Sequence, residues 1–595
     1  MKKLVLGAAL LAPLSVLAAA AVPLDPVVVT ATGAPVPQSQ TLANTLVISR
    51  DEIEQSQASD VAELLQAYAG LDVERSGGIG QLAYVRIRGG ETDHTLLLID
   101  GVRLNPATGG PTLQNLSPDL IERIEILKGP RSTLYGPDAM SGVIHIITRR
   151  AEKSGVSGRI GVGRDNTLSG NAEFNYADSE KQLGLNVEQT KSDGIPPCAG
   201  DTLDRGYQRT SVQLNGRLQA GDVTLAGRAF DTSGNARYMD YCGFGNSPLD
   251  QDFRQQSVAV DASLRPTENW QTQLAFSRIV DDLQQTLGAD FVRTTRPQID
   301  WRNTLDLGPH SLGFGASAAR EKADILSFGT PIVEDRDIYS VHLQDDLSIG
   351  RHHALLGLAY ADHDGYGSSS TWNAEYGFDL FTQTRLILAA GTGFRAPNAF
   401  ERFPGYGGNP NLDAEESRNL EAGLRQRIGR THHIDLRVFR TDTDDLIAFV
   451  GGTAQNIKQF RNEGIDLSYR WRTEHWAATL TGLLQDPVDR SADQPLQRRA
   501  RRSLGARLER QLGPHSVAVS MQSTSGRPDT NFSTFPSAPV TVPGYALLNL
   551  YGTLQLSPNW QLQARADNLL DKRYETAFGY NQPGAGFFLS LRYAP

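Results

Sequence analysis

Trp560-Gln-Leu-Gln-Ala-Arg-Ala-Asp567 puts Leu562, Ala564 and Ala566 on one side of an extended chain and Gln561, Gln563 and Arg565 on the other. Successive side chains of a strand point to opposite faces, so this octapeptide reads as a strand with one apolar and one polar face. The same period runs through Gly464-Ile-Asp-Leu-Ser-Tyr-Arg-Trp471, where Ile465, Leu467, Tyr469 and Trp471 alternate with Asp466, Ser468 and Arg470. It returns in Phe587, Leu589, Leu591 and Tyr593 against Phe588, Ser590 and Arg592. In a soluble sandwich the apolar face would be interior. So many long alternating segments with Arg, Asp and Gln on the second face suit a barrel with lipid outside and a wet lumen.

The arithmetic agrees. The 445 residues after position 150 give about 20 per strand and connection over 22 strands, and a spanning strand needs only about 9–11. Long polar, Gly- and Pro-rich stretches at 192–207, 238–253, 403–417 and 523–543 sit where long loops are expected. Unpaired backbone in hydrocarbon costs several kcal/mol per group, so the sheet must close. The composition excludes rivals. With 39% hydrophobic residues, 58 Gly, 18 Tyr and a mean hydropathy of -0.34, a helical polytopic protein is ruled out. A net charge of -10 disfavours nucleic acid, and two Cys exclude a disulfide-dense or Cys-rich zinc module.

The chain begins with Met1-Lys2-Lys3, an apolar run from Leu4 to Leu17 and a small-residue stretch, Ala18 to Ala21. That is the layout of a secretory signal peptide over 1–21, with a membrane anchor as the alternative. An oxidising destination leaves both a Cys198–Cys242 disulfide and two unpaired thiols open. Residues 37–150 read as a compact α+β unit. Val61, Leu64, Leu65 and Tyr68 share a helical face with Ser59 as N-cap, and short strands lie at 45–48, 84–87, 95–100, 121–127 and 142–148. A 22-stranded barrel is wide enough to need filling. The expected architecture is therefore an all-β transmembrane barrel of 22 antiparallel strands over 151–595, with an N-terminal α+β plug domain inside its lumen.

Several motifs carry a family resemblance. Asp25-Pro-Val-Val-Val-Thr-Ala31, Val85-Arg-Ile-Arg-Gly89, Leu98-Ile-Asp-Gly-Val-Arg103 and Ile124-Glu-Ile-Leu-Lys-Gly-Pro-Arg-Ser132 look like plug motifs of TonB-dependent outer-membrane receptors. Phe394-Arg-Ala-Pro-Asn398, Gly408-Asn-Pro-Asn-Leu-Asp413 and Asp567-Asn-Leu-Leu-Asp-Lys-Arg-Tyr574 resemble the family's barrel features. The resemblance implies active transport across the outer membrane of a Gram-negative bacterium, by a monomer surrounded by outer-membrane lipid. Residues 22–36 then hold the coupling box, Asp25, Pro26, Val27, Val28, Val29, Thr30 and Ala31, which adds a strand to a sheet edge of the periplasmic TonB partner.

Within the family the chain is most similar to cobalamin (vitamin B12) receptors, through Gly77-Gly-Ile-Gly-Gln-Leu-Ala83 and Asp93-His-Thr-Leu-Leu-Leu-Ile-Asp-Gly-Val-Arg-Leu-Asn105. That similarity places corrinoid contacts at Leu82, Ala83 and Tyr84 and at Thr108, Gly109 and Gly110. It also implies calcium in two extracellular loops, with Asp193, Asp201, Asp204, Tyr238, Asp240 and Asp250 as the candidate oxygen ligands. A ferric siderophore is the alternative cargo; a passive porin or adhesion receptor is the alternative class. No catalytic residue and no catalytic cofactor are expected, because no nucleophile elbow, Walker loop or His-based metal spacing stands in a suitable setting. One departure stands out: the chain ends Tyr593-Ala-Pro595 rather than on an aromatic residue.

Overall fold

The structure, a computed structural model, describes residues 26–33, 35–239, 242, 249–403, 407–450, 452–534 and 536–595. The expected signal peptide lies outside the described residues.

Twenty-two antiparallel strands close into a barrel. Closure is made by the first barrel strand, Gly155–Gly163, which pairs with its hairpin partner Thr167–Ala177 and also with the last strand, Gly586–Tyr593. A two-residue spur, Gln494–Pro495, adds to Trp476–Asp489 outside this count. Connections at 178–180, 221–222, 268–269, 308–309, 350–351 and 382–383 are tight turns at the end where the barrel begins and the chain ends. The opposite end carries the long connections 193–206, 396–414, 525–544 and 568–585. Short turns mark the periplasmic end of such barrels and long loops the extracellular one. Leu249–Thr267 and Arg527–Asn531 paired with Ala538–Val542 reach into two stretches expected to be loop.

The alternation has the expected outcome. In Lys181–Ser192, Leu183, Leu185 and Val187 face outward, whereas Asn186, Glu188 and Thr190 are buried against the plug. At the closing strand Phe587 is 73% exposed and Ser590 only 4%. Thr330–Ile349 and Thr453–Arg472 run for 20 residues each, about twice what spanning requires, so parts of the wall stand above the membrane.

Inside the lumen, a five-stranded sheet has the order Asn44–Ile48, Ile121–Lys128, Gly142–Thr148, Thr95–Ile99, Val102–Arg103. Gly142–Thr148 runs parallel to Thr95–Ile99 and antiparallel to Ile121–Lys128. Helices Arg50–Ser56 and Val61–Gln66 pack Ile53, Val61, Leu64 and Leu65 on Leu46, Ile48, Leu97, Ile124 and Ile144. The second helix corrects the expected cap: Asp60, not Ser59, accepts the Glu63 N–H at 2.8 Å, while Ser59 donates its own N–H to Glu63 Oε2. Asp60 also meets Arg75 at 2.8 Å, so one buried carboxylate both starts the helix and anchors the strand Leu71–Arg75.

Candidate functional site

Two plug loops rise towards the extracellular end. The first, 76–82, joins strands Leu71–Arg75 and Ala83–Ile87. It lies so close to the wall that a Cβ on Gly80 would sit 2.0 Å from the Tyr207 ring, so only glycine fits. Tyr207 stacks on Phe253 at 5.8 Å and shields the loop from one side. The second loop, 104–117, is held by the Ala107 N–H donated to Thr294 Oγ1 (3.0 Å) and by the Ala399 N–H donated to the Ala107 carbonyl. Gln114 links the two loops by accepting the Ala83 N–H.

The six expected cargo contacts divide. Leu82 is 39% exposed at the apex, and Tyr84, Thr108, Gly109 and Gly110 are half-buried. Ala83 begins the strand paired with Arg75, and its methyl group is fully buried in the plug core.

Cys198 and Cys242 are joined in a disulfide. It rests on the loop 568–585, where the Ala199 N–H donates to the Gly579 carbonyl and the Asn581 N–H to the Pro197 carbonyl. Two loops and a third are thereby braced over 76–82. The expected calcium ligands do not converge. Asp201 pairs with Arg205 at 3.0 Å, Asp250 accepts from Asn235 and faces Arg237, Asp193 accepts from Asn166, and Tyr238 accepts from Gln285. Asp204 is exposed, and Asp240 lies outside the described residues. Among the described residues no three side chains are gathered to hold a metal. Arginines and amides pair with Asp193, Asp201, Asp250 and Tyr238, so these four are not gathered for the six to eight oxygen bonds that calcium takes.

Below the apex, buried charges bind plug to wall. Arg88 meets Glu421 at 2.5 Å and Asp466 at 3.0 Å; Lys128 shares Asp466 at 3.0 Å; Arg131 meets Glu375 at 2.5 Å. His94 meets Glu415 at 2.5 Å, and Arg395 joins Asp93, Glu401 and Glu415. Burial alone would push the His94 imidazole down, but the Glu415 carboxylate outweighs it and raises the ring. Glu74 goes the other way: burial would raise it, and Arg86 and Arg498 hold it below the usual carboxylate range. Burial, with Asp93 and Glu415 nearby, lifts Glu401 to about 7 against the pull of Arg395. On another flank a void of about 150 Å³ lies between the helix Val61–Gln66 and a wall that includes Arg507, Tyr551 and Arg565.

At the periplasmic end, Val27–Val28 pairs antiparallel with Val36–Pro37. Val28 and Ala31 are buried against Ala43, Val47 and Leu127, and Thr30 is fully buried beside them, rather than extended into solvent. The Glu125 carboxylate receives the Val29 N–H (2.8 Å), the Thr30 N–H (2.9 Å) and the Thr30 hydroxyl (2.6 Å). The Tyr135 hydroxyl donates to the Thr30 carbonyl at 3.0 Å. Asp25 lies outside the described residues. Glu125, His145, Glu421 and Asp466 were not singled out as site residues from sequence, although Glu125 stands in the motif Ile124 to Ser132 and Asp466 on the polar face of an alternating strand.

Residues 37–143 match the family described as TonB-dependent Receptor Plug Domain, and 155–569 match TonB dependent receptor-like, beta-barrel. The solved structures include the FrpB iron transporter of Neisseria meningitidis, 14% identical with a TM-score of 0.81, covering 93% of this chain and 99% of that one. A mutant of the ferric enterobactin receptor PfeA of Pseudomonas aeruginosa is 17% identical with a TM-score of 0.80, covering 96% and 100%. The siderophore receptor PirA of Acinetobacter baumannii is 16% identical with a TM-score of 0.78, covering 92% and 98%. At these identities the likeness is one of fold. The family match spans well over half of the chain, which therefore belongs to the TonB-dependent receptors, transporters of the outer membrane.

Proposed function

We propose that the protein imports a small chelate across the outer membrane by drawing on TonB at the periplasmic end, and that it catalyses no reaction. One observation carries this reading: the lumen is filled by a domain tied to the wall through buried ion pairs, with segment 26–31 folded beneath it. A passive pore has no use for such a plug, and force applied at 26–31 acts directly on it. Deleting Val27 to Thr30 is expected to abolish uptake while leaving cargo binding intact. Unchanged uptake would overturn the coupling.

For the cargo, a ferric siderophore is the favoured class. What supports it is that receptors sharing this fold are named for ferric enterobactin, siderophores and iron. For cobalamin, the burial of Ala83 and the separation of the described calcium candidates add no support to the sequence resemblance. One observation keeps the corrinoid as a second reading: loops 76–83 and 105–117 carry no charged side chain, so a negatively charged iron chelate would find no counter-charge at the apex itself. Titrating the purified protein with a ferric catecholate and, separately, with cyanocobalamin decides between them. Micromolar or tighter binding is expected for the ferric catecholate, and binding of cyanocobalamin alone would reverse the order.

A further inference from the structure

Thr30 stands at the centre of a hydrogen-bond chain whose directions are all determined. The Gly101 N–H donates to His145 Nε2 at 2.9 Å, which makes that nitrogen an acceptor and leaves the ring proton of neutral His145 on Nδ1. The Thr30 hydroxyl donates to Glu125 Oε2, so its lone pair takes the proton of His145 Nδ1, 2.9 Å away. The Glu125 carboxylate also receives two backbone N–H groups of the same segment and, on Oε1, the Arg123 guanidinium. Thr30 and Glu125 are fully buried and His145 is nearly so.

Gly101 is the far end of a stiff ribbon. Asp100 and Gly101, at φ 48° and 85°, form the two-residue turn between paired Ile99 and Val102, the geometry of a primed hairpin turn. Asp100 is pinned by the N–H and hydroxyl of Thr148. The ribbon runs up Thr95–Ile99 for about 16 Å. There Asn105 binds the Leu97 N–H and the Thr95 carbonyl and leads straight into the apex loop that carries Thr108 to Gly110.

We propose that Gly101, His145, Thr30 and Glu125 form a latch on the coupling segment that acid opens. Calling 26–31 the coupling segment rests on the proposed function; the latch itself is a statement about the resting protein. Acid acts on the bond from the Gly101 N–H to His145 Nε2. Protonating His145 places a second N–H opposite it, and two donors cannot pair. The groups facing His145 are Glu125 and Asp100, which favour its charged form, and Arg123 and Arg302, which oppose it; burial is the largest influence and brings the ring down to about 4. A released His145 would titrate near 6.5, so between about pH 6.5 and 4 the released state binds the extra proton. Falling pH therefore favours release, by at most about tenfold per unit.

Positioning residues of this kind need a readout that mere misfolding would not reproduce. In full-length protein carrying Val28→Cys, labelling by a bulky maleimide at pH 7 is expected to be slow, and at least about tenfold faster with Glu125→Gln or Thr30→Val added. Rates are normalised to Ser154→Cys, an exposed position. From pH 7 to 5 the normalised rate is expected to rise in the Val28→Cys background. With His145→Asn, which retains a donor and an acceptor but does not titrate, it stays slow and flat. Slow, pH-independent labelling in all of these overturns the latch. So does a parallel rise at Ala62→Cys in the plug interior, since the plug would then be opening as a whole. Neither TonB nor cargo is present, so this failure is distinct from that of the import reading, which the 27–30 deletion tests.

Discussion

The barrel strand Lys181–Ser192 and the plug strand Gly142–Thr148 differ in what surrounds them. Along the first, burial alternates residue by residue; along the second, every residue is buried. The barrel wall has lipid on one side and the plug on the other, so its sequence must change character at every step. The plug's central strand is covered on both faces, and Val143, Ile144, Ile146 and Ile147 make it a nearly continuous apolar run. One chain thus writes strands in two codes, and the code reports the surroundings rather than the backbone.

Three substitutions probe that contrast, and the largest effect is expected where the two regions meet. Asp466→Ala leaves Arg88 and Lys128 buried without their shared carboxylate, which costs about 3–5 kcal/mol. Proteolysis of the plug and denaturant unfolding should show it released while the barrel stays folded; equal loss of both would mean that the regions are not separable. Leu185→Arg places a charge on the lipid face, at a cost of about 2–4 kcal/mol near mid-membrane, and here the barrel rather than the plug should weaken in a refolding titration. Arg254→Ala removes an outward ion pair with Asp231 that is 56% and 32% exposed. No more than about 1 kcal/mol is expected, shrinking further in salt; a larger effect would show that this rim is shielded from water.

Much of the fold was legible because alternation is local. Phe587, Leu589 and Ser590 declare their faces within a few residues, and Gly142–Thr148 was bounded as it stands. The helix Arg50–Ser56 was legible and missed: Ser49 and Glu52 form a capping box whose spacing is visible in the chain. The strand Leu71–Arg75 was missed for a different reason, because Glu74 and Arg75 look like surface charges until Arg86 and Asp60 are brought to them. The candidate site was harder still. Leu82 could be placed at the apex, but nothing near Ala83 announces that Gln114, thirty-one residues on, holds its backbone. Nor does the run Val27 to Thr30 announce that Glu125 and His145 will fold it away.

By itself, the sequence determined the architecture: strand period, the plug and the family motifs follow from patterns spanning a few residues. Only the tertiary structure decided which charges meet. It paired Asp201 with Arg205, put Asp466 between Arg88 and Lys128, and buried Thr30 against Glu125 and His145. Periodicity is a property of neighbours along the chain, whereas a buried charge is satisfied by whichever partner the fold delivers, however distant, because leaving it unpaired costs more than any local preference can supply.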